Sequence, residues 1–366
     1  MRAMIVKEFR ELVRDRRTLG MLIGLPLLLL IVFGYAANFT VDSVQTAVVG
    51  PQATQVAATL PDFFEVDTID TVADRAAAEE LIVDNEVDVA LVTGAQPVTA
   101  LVDGSNLFGA QSAVSVLNRA GDAVTTEIMF NPDLTTSWVM IPSIIGLILA
   151  FIGTLVTSIG MVRERESGTL EQLAVMPITP SAVILGKIAP YFLVAAIDMV
   201  IVTVLGMLLF DVPFNGNPAE YALGAGLFLF LVLGIGVFIS TISQNAGQAI
   251  QAAFMVLMPQ ILLSGMIFPL VAIPWAVRWI SYLLPLTYFT MISQGIMIRG
   301  AGIETLWMPF LALTVMAAVV FTGAVTRFRR DLAPGRRRTQ GTTASDDRGR
   351  VDAPEGTSGA TPAVSA

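Results

Sequence analysis

A dense run of charged and small polar residues lies between two long apolar segments of the chain. It reads Arg163-Glu164-Arg165-Glu166-Ser167-Gly168-Thr169-Leu170-Glu171-Gln172-Leu173. Ser167 could cap a short helix that begins at Gly168, and Pro177 would end this helix soon after Leu173. Such a helix would offer carboxylates and leucines to a groove on a partner protein. The alternative is a solvated loop without a partner.

The residue inventory gives little support to catalysis on this chain. The sequence has 0 histidines and 0 cysteines, which excludes a thiolate nucleophile, a cysteine-ligated zinc ion and the usual general base. Gly186-Lys187 has Ser181 where a phosphate-binding loop needs glycine and Ile188 where it needs Ser or Thr. We therefore predict a chain that is not an enzyme and that holds no nucleotide, cofactor or metal itself.

Polar side chains within the apolar segments are the remaining candidates. Asp198 lies near the centre of one segment, where a carboxylate is costly unless it is paired or hydrated. It could contact a cationic substrate, but the favoured alternative is a buried acid bonded to Thr203 or another hydroxyl. Thr154, Thr157 and Ser158 could line a substrate pathway or, as we favour, hold helices together.

The segments that must position these residues are long and apolar. The 366 residues are 54% hydrophobic and 14% charged, with a mean hydropathy of +0.72, which is typical of several membrane spans. An apolar window of about 20 residues crosses the bilayer core, and six are present: 19–37, 138–162, 188–210, 221–243, 249–273 and 306–326. Residues 274–298 are apolar but proline-broken and aromatic, which predicts one or two short interfacial or re-entrant helices.

The basic residues predict the orientation. Of the 21 Lys and Arg residues, 17 lie in residues 1–18, 163–187 and 327–366. Six crossings place these three segments on one side, and basic residues favour the cytoplasm. We therefore expect a multi-pass protein of the cell (inner or plasma) membrane with both termini in the cytoplasm.

Residues 38–137 then form an extracytoplasmic domain. They contain 15 acidic and 2 basic residues; we favour solubility as the reason over attraction of cationic substrates. Their pattern predicts strands near 44–49, 87–92 and 98–102, and helices near 70–84 and 108–129. The predicted fold class is an α-helical polytopic membrane protein with six transmembrane helices in 19–37 and 138–326 and a mixed α/β extracytoplasmic domain. Residues 327–366 should be a disordered cytoplasmic tail.

An amphipathic helix is predicted at the N-terminus, over residues 1–18. Its apolar side chains share one helical face, and charged residues occupy much of the rest; they are Ile5, Phe9, Leu12 and Val13, and Lys7, Arg10, Glu11 and Arg14. This pattern is typical of a helix in the inner membrane interface. A docking element for a cytoplasmic partner is an equally good interpretation.

Motifs spread through the chain resemble the membrane subunits of type-two ATP-binding-cassette exporters, in the branch with a large extracytoplasmic domain after the first span. The resemblance covers about residues 1–330. The motifs are Arg10-Glu11, Arg14-Asp15-Arg16-Arg17, Val102-Asp103-Gly104-Ser105-Asn106, Asn131-Pro132-Asp133, Glu164-Arg165-Glu166 with Gly168 to Leu173, Pro177, Pro180, Gly186-Lys187, Leu263 to Pro269 and Leu284 to Phe289.

The resemblance implies a permease subunit with six spans that pairs with a second permease, either a copy of itself or a similar chain. Each permease would dock one separately encoded ATPase subunit, which binds ATP and Mg²⁺. Roles in contacting the ATPase carry over to residues of the N-terminal helix and of a coupling loop, 163–187; they are Glu8, Arg10, Glu164, Glu166, Gly168, Thr169, Leu170, Glu171 and Gln172. ATP-driven dimerisation of the ATPases would tilt the spans as rigid bodies.

The resulting prediction is an exporter permease for amphipathic small molecules such as drugs, antibiotics or lipids, with the lipid bilayer as its surroundings and no nucleic-acid partner. One rival is an ATP-independent channel or secondary transporter, for which intramembrane charge pairs or broken helices would be expected. Another is a membrane-anchored sensor that binds a ligand through residues 38–137.

Overall fold

The computed structural model describes residues 41, 43–167 and 180–332. The predicted N-terminal helix (1–18), the first predicted span (19–37), coupling-loop residues 168–179 and tail residues 333–366 lie outside this part of the chain. The described residues form an α/β domain followed by a bundle of long apolar helices.

The α/β domain is built on five strands: β1 (Val44–Val49), β2 (Phe64–Asp70), β3 (Val89–Val92), β4 (Val98–Asp103) and β5 (Val124–Met129). Their order across the sheet is β2-β1-β3-β4-β5. Strand β1 pairs in parallel with β2 and β3, β3 pairs antiparallel with β4, and β4 pairs in parallel with β5. The domain also contains helices α1 (Ala53–Ala57), α2 (Arg75–Val83) and α3 (Leu107–Leu117).

Both faces of this sheet are buried because the central strands β1, β3 and β4 place apolar side chains on both faces. Ala47, Val49 and Leu101 pack against Ala78 and Ile82 of α2. The alternate residues face α1 and α3 on the other side, as successive strand side chains must; they are Val44, Val48, Leu91, Ala100 and Val102, which pack against Ala53, Ala110, Ala113 and Leu117.

The predicted strands near 44–49, 87–92 and 98–102 are confirmed as β1, β3 and β4, and the predicted helix near 70–84 contains α2. The predicted helix over 108–129 is wrong in its second half. Helix α3 ends at Leu117, a short 3₁₀ segment follows over Asn118–Ala123, and β5 takes Val124–Met129. Strand β5 is rich in β-branched residues, which favour a pleated strand over a helix.

Five helices of the described chain are long and apolar enough to cross a membrane. They are α4 (Thr136–Glu166), α5 (Pro180–Phe210), α6 (Pro218–Ile242), α7 (Ala246–Leu263) and α10 (Trp307–Leu332). Helix α6 is the most buried of the five and packs chiefly against α4 and α10. The four predicted spans that begin near 138, 188, 221 and 306 correspond to α4, α5, α6 and α10.

The predicted span over 249–273 is too long. Helix α7 ends at Leu263, and Gly265 then takes a positive φ of 85°, a conformation that glycine adopts readily. Residues 274–298 contain two short helices, α8 (Trp275–Ser281) and α9 (Pro285–Gln294), as the prolines and aromatics predicted. A π-helical turn, Gly295–Arg299, continues α9.

Candidate functional site

One end of the bundle holds the C-termini of α4, α6 and α10 and the N-termini of α5 and α7; we call it the coupling end. Met161 of α4, Ile184 of α5, Val237 of α6 and Ala324 of α10 meet there in one buried cluster. A neighbouring cluster joins Val162 and Ile239 to α7 through Ala249, Ala252 and Ala253. Because α4 is packed on both sides, its last turn has a fixed position within this end.

The charged run begins as a helix, not as a loop. Helix α4 continues through Glu166, and Ser167 is its C-terminal cap, with its hydroxyl donating to the Glu164 carbonyl at 3.0 Å. The predicted loop boundaries of 163 and 187 are therefore too wide, since α5 already begins at Pro180. Glu166 is exposed and Glu164 is half-buried. The predicted helix from Gly168 lies outside the described residues, as do Thr169, Leu170, Glu171 and Gln172.

Two polar contacts shape the rest of the coupling end. The Arg165 guanidinium donates to the Ser243 carbonyl in the turn between α6 and α7, at 3.2 Å. Asn245 then caps α7 by accepting the Gln248 backbone N–H at 2.9 Å. The first contact joins the α6–α7 turn to the last turn of α4, and the second fixes the start of α7. Glu8 and Arg10, the other predicted docking residues, lie outside the described chain.

Asp198 lies in the middle of α5, on the border between its buried and exposed faces. Its Oδ2 is buried and has no hydrogen-bond partner among the described residues. Thr203, the partner considered from the sequence, is instead hydrogen-bonded through its hydroxyl to Tyr221 of α6 at 3.1 Å. The carboxylate therefore remains available for a further contact within the apolar part of the bundle.

Thr154, Thr157 and Ser158 are buried in the contact between α4 and neighbouring helices. Thr154 donates a long hydrogen bond, 3.5 Å, to the Val232 carbonyl of α6, and Ser158 donates to the Leu155 carbonyl of its own helix. A Cβ at Gly236 would lie 2.8 Å from the Thr154 carbonyl oxygen and 2.9 Å from the Thr157 Cβ. This arrangement fits the helix-packing role that the sequence analysis favoured.

Several polar residues that organise the bundle were not singled out from the sequence. Gln260 is buried in α7 and accepts the Leu286 N–H of α9 at 3.3 Å. Gln294 donates to the Val139 carbonyl of α4 at 2.9 Å. Arg299 is one of four basic residues outside the predicted cytoplasmic segments, and this isolation was the one signal that could have drawn attention to it.

Comparison with known proteins decides the family. The model of the family described as ABC-2 family transporter protein matches residues 16–326. The chain belongs to the ABC-2 transporter family. It is therefore a membrane-embedded permease subunit, and the ATPase that powers such a transporter is a separate subunit.

Two bacterial permeases and one amoebal transporter are among the proteins to which this ABC-2 permease is similar. YbhR of Escherichia coli K12, described as a probable multidrug ABC transporter permease, is 27% identical over 358 residues, which is 89% of this chain and 97% of that protein. YbhS of the same organism, described in the same words, is 28% identical over 88% of this chain and 94% of its own length. ABC transporter G family member 20 of Dictyostelium discoideum is 26% identical over 52% of this chain and 26% of its own length.

Proposed function

We propose that this permease forms the transmembrane pathway of an exporter that moves amphipathic small molecules out of the cell. A separate ATPase subunit that binds ATP and Mg²⁺ would dock on the coupling end and supply the free energy. The similarity to two probable multidrug ABC transporter permeases over nearly their whole length carries this proposal. The working unit would contain two permeases, either two copies of this chain or this chain with a similar one.

The proposed orientation places the coupling end in the cytoplasm and the α/β domain outside. Residues 19–37 would supply a sixth span, so that both termini are cytoplasmic. The basic residues support this arrangement, since Arg163, Arg165 and Arg327 all lie at the coupling end, where the cytoplasmic side favours positive charge. The α/β domain contains only two basic residues, Arg75 and Arg119.

Single cysteines test the orientation, because the chain has no native cysteine. Val72 in the α/β domain is 90% exposed, and Ser167 at the coupling end is also exposed. In intact cells, V72C should react with a membrane-impermeant maleimide and S167C should react only after permeabilisation. Labelling of both from the same side would contradict the proposed topology. Ser105 is unsuitable for this test because it is buried.

Glu166 is the described residue best placed to dock the ATPase, because its carboxylate is exposed at the end of a rigid helix. We include Glu164, Gly168, Thr169, Leu170, Glu171 and Gln172, and Glu8 and Arg10 of the N-terminal segment, in the proposed docking surface. E166K should reduce co-purification of the ATPase and substrate-stimulated ATP hydrolysis several-fold. D122K is the matched control, since Asp122 is exposed in the α/β domain and undergoes the same charge change. Equal activity of E166K, D122K and the parent would exclude a docking role for Glu166.

Asp198 is the proposed contact for cationic substrates. No described residue hydrogen-bonds to its buried Oδ2, and a cation would offset the cost of an unpaired charge in an apolar bundle. In vesicles with the ATPase, D198N should slow export of a lipophilic cation such as rhodamine 6G at least ten-fold and leave a neutral dye nearly unaffected. Equal effects on both dyes would instead indicate a structural acid.

Reconstitution separates this function from its rivals. The permease alone in liposomes should pump neither dye, and addition of the ATPase and ATP should start uphill transport. An ATPase variant that lacks its phosphate-binding lysine should give no uphill transport of either dye. Uphill transport by the permease alone, driven by an ion gradient, would favour the secondary transporter.

A further inference from the structure

The α/β domain is attached to the bundle through a buried guanidinium group. Arg299, at the end of the π-helical turn that follows α9, has only 9% of its side chain exposed, and Asp103 at the end of β4 has 1%. The Arg299 Nη1 lies 4.0 Å from the Asp103 Oδ2. The same nitrogen donates to Asn85 Oδ1, in the turn after α2, and to Ser105 Oγ at 3.5 Å. One bundle residue thus contacts two separate loops of the domain.

The acid in this pair is held in place by its own loop. Asp103 Oδ1 accepts the Ser105 N–H at 2.8 Å, while its Oδ2 faces Arg299. Burial raises the pKa of Asp103 and lowers that of Arg299, and the opposite charge counters both shifts. Because a buried charge without its counter-charge is strongly unfavourable, separation of the domain from Arg299 would have to expose both groups to water.

A second attachment lies at the covalent junction between the domain and α4. Asn131 is fully buried in the turn that follows β5. Its side-chain amide donates to the carbonyls of Gly104 and Thr135, at 3.3 and 3.2 Å, and its Oδ1 accepts the Thr135 N–H at 2.8 Å. The first residues of α4 are therefore fixed to the same loop that holds Asp103.

The bundle completes the connection between these two attachments. Gln294, five residues before Arg299, donates to the Val139 carbonyl of α4 at 2.9 Å and to the Ser143 hydroxyl at 3.2 Å. Thr305, after the π-helical turn, donates to the Asp84 carboxylate of the domain at 2.7 Å. Domain, α4 and the segment around Arg299 thus form a closed ring of contacts, and no single rotation about the junction leaves all of them intact.

We propose that Arg299 and Asp103 clamp the α/β domain to the bundle, so that the domain and α4 move as one rigid body. Helix α4 has 31 residues and therefore reaches ~46 Å, from the coupling end to the domain, at 1.5 Å per residue. The clamp would make the α/β domain a moving part of the transporter that follows each displacement of the coupling end. That the ATPase displaces the coupling end rests on the proposed function. The rigid attachment of the domain to α4 does not depend on it.

The clamp can be tested on the permease alone, in lipid nanodiscs. Spin labels at V72C in the domain and V156C on the exposed side of α4 report their separation by pulsed electron resonance. The parent should give one narrow distance distribution, and R299A and D103N should each broaden it at least two-fold. R278A is the matched control, because Arg278 donates to carbonyls of its own segment, Val271 and Ile273, and it should leave the distribution narrow.

Folding of each variant is checked by its thermal unfolding in the same nanodiscs. Should R299A fail to fold, N85A, which removes one acceptor and no charge, should still broaden the distribution measurably. A folded R299A, D103N or N85A with the parent's narrow distribution would overturn the clamp. A broad distribution in the parent itself would overturn it as well.

A second measurement with the ATPase present separates the clamp from the proposed function. Labels at S167C and R327C, both exposed at the coupling end, report movement of α4 relative to α10 between the ATP-free and vanadate-trapped states. We expect this distance to change by several ångströms and the distance between labels 72 and 156 to stay constant. No change at the coupling end would contradict the proposed function and leave the clamp standing. A change between labels 72 and 156 as large as that at the coupling end would overturn the clamp alone.

Discussion

The Arg165 guanidinium donates a 3.2 Å hydrogen bond to the backbone carbonyl of Ser243, and this bond joins the last turn of α4 to the turn between α6 and α7. Ser243 is itself buried and donates through its hydroxyl to the Ile239 carbonyl at 2.8 Å. The contact lies one residue before the exposed Glu166, so the carboxylate is carried by a helix end that is fixed to a second pair of helices.

Loss of this contact should destabilise the bundle measurably. R165A removes a charge-assisted hydrogen bond at a half-buried position. We expect this loss to lower the free energy of unfolding by about 1 kcal/mol. R163A is the control, because Arg163 is exposed on the same helical turn. Thermal unfolding in detergent, followed by tryptophan fluorescence, measures the difference. Equal midpoints for the two variants would mean that the Arg165–Ser243 bond carries no stability.

The close contact between α4 and α6 at Gly236 makes a second prediction. In G236A the added methyl would press on the Thr154 carbonyl oxygen, which is backbone and cannot rotate away. Overpacking of this kind costs about 1–3 kcal/mol. In G226A, on the same helix, the new methyl meets nothing closer than 3.9 Å from Phe192, and the gain in helix propensity of up to about 1 kcal/mol should remain.

Unfolding midpoints of G236A and G226A should therefore move in opposite directions relative to the parent. Both substitutions add the same single methyl to α6, so that membrane insertion and chain composition are matched. A G236A protein as stable as G226A would show that α4 and α6 can separate without loss of stability.

Gln260 makes a third prediction, because it satisfies a backbone group at the start of α9. The Leu286 N–H belongs to the first turn of α9, where no carbonyl of the same helix is available, and Gln260 accepts it at 3.3 Å. Q260M keeps the length of the side chain but leaves this buried N–H without an acceptor, at a cost of about 1–3 kcal/mol. Q251M is the control on the exposed side of α7.

Hydrogen exchange provides the site-specific readout for this prediction. In Q260M the first turn of α9 should exchange faster than in the parent, while α6 exchanges at the same rate. In Q251M neither helix should change. Unaltered exchange at Leu286 in Q260M would contradict the assigned role of the amide.

The pH dependence of the α/β domain supplies a fourth prediction. Arg75 donates to Glu127 of β5 at 2.8 Å and to Glu79 of α2 at 2.7 Å, and the guanidinium lowers the pKa of Glu127 below its usual 4.5. Since the pKa of this acid is depressed in the folded state, its contribution is present above pH 4.5 and is lost as the pH falls through the folded-state pKa.

E127Q should accordingly destabilise the domain slightly at pH 7 and by less as the pH falls below 4.5. The effect should stay below about 1 kcal/mol, because half of the Glu127 side chain is exposed and solvent screens the pair. Melting curves of E127Q and the parent at pH 7 and pH 3.5 measure it. E65Q is the control on edge strand β2. If the difference in melting temperature between E127Q and the parent were larger at pH 3.5 than at pH 7, the stabilising role of the Arg75–Glu127 pair would be contradicted.

Local pattern determined four of the described spans and part of the α/β domain. Apolar windows of about 20 residues have few alternatives to a membrane helix, and the windows near 138–162, 188–210, 221–243 and 306–326 all correspond to helices. Strands β1, β3 and β4 were readable because they are short runs of mostly apolar residues. Strand β2 was missed because its exposed half carries Glu65, Asp67 and Asp70, and β5 because it continues directly from a helical segment.

Only the tertiary structure decided which polar residues meet. Arg299 lies 196 residues after Asp103 in the chain, and no local pattern couples a lone arginine near an apolar segment to an acid at the end of a distant strand. Asp198 and Thr203 lie five residues apart on α5, about 140° around the helix axis at 3.6 residues per turn, so helix geometry alone keeps them apart. That the Thr203 hydroxyl meets Tyr221 depends on how α5 packs against α6. Sequence periodicity fixes which face of a helix is apolar, whereas the partner of each buried polar group depends on how the helices and the sheet are placed in space.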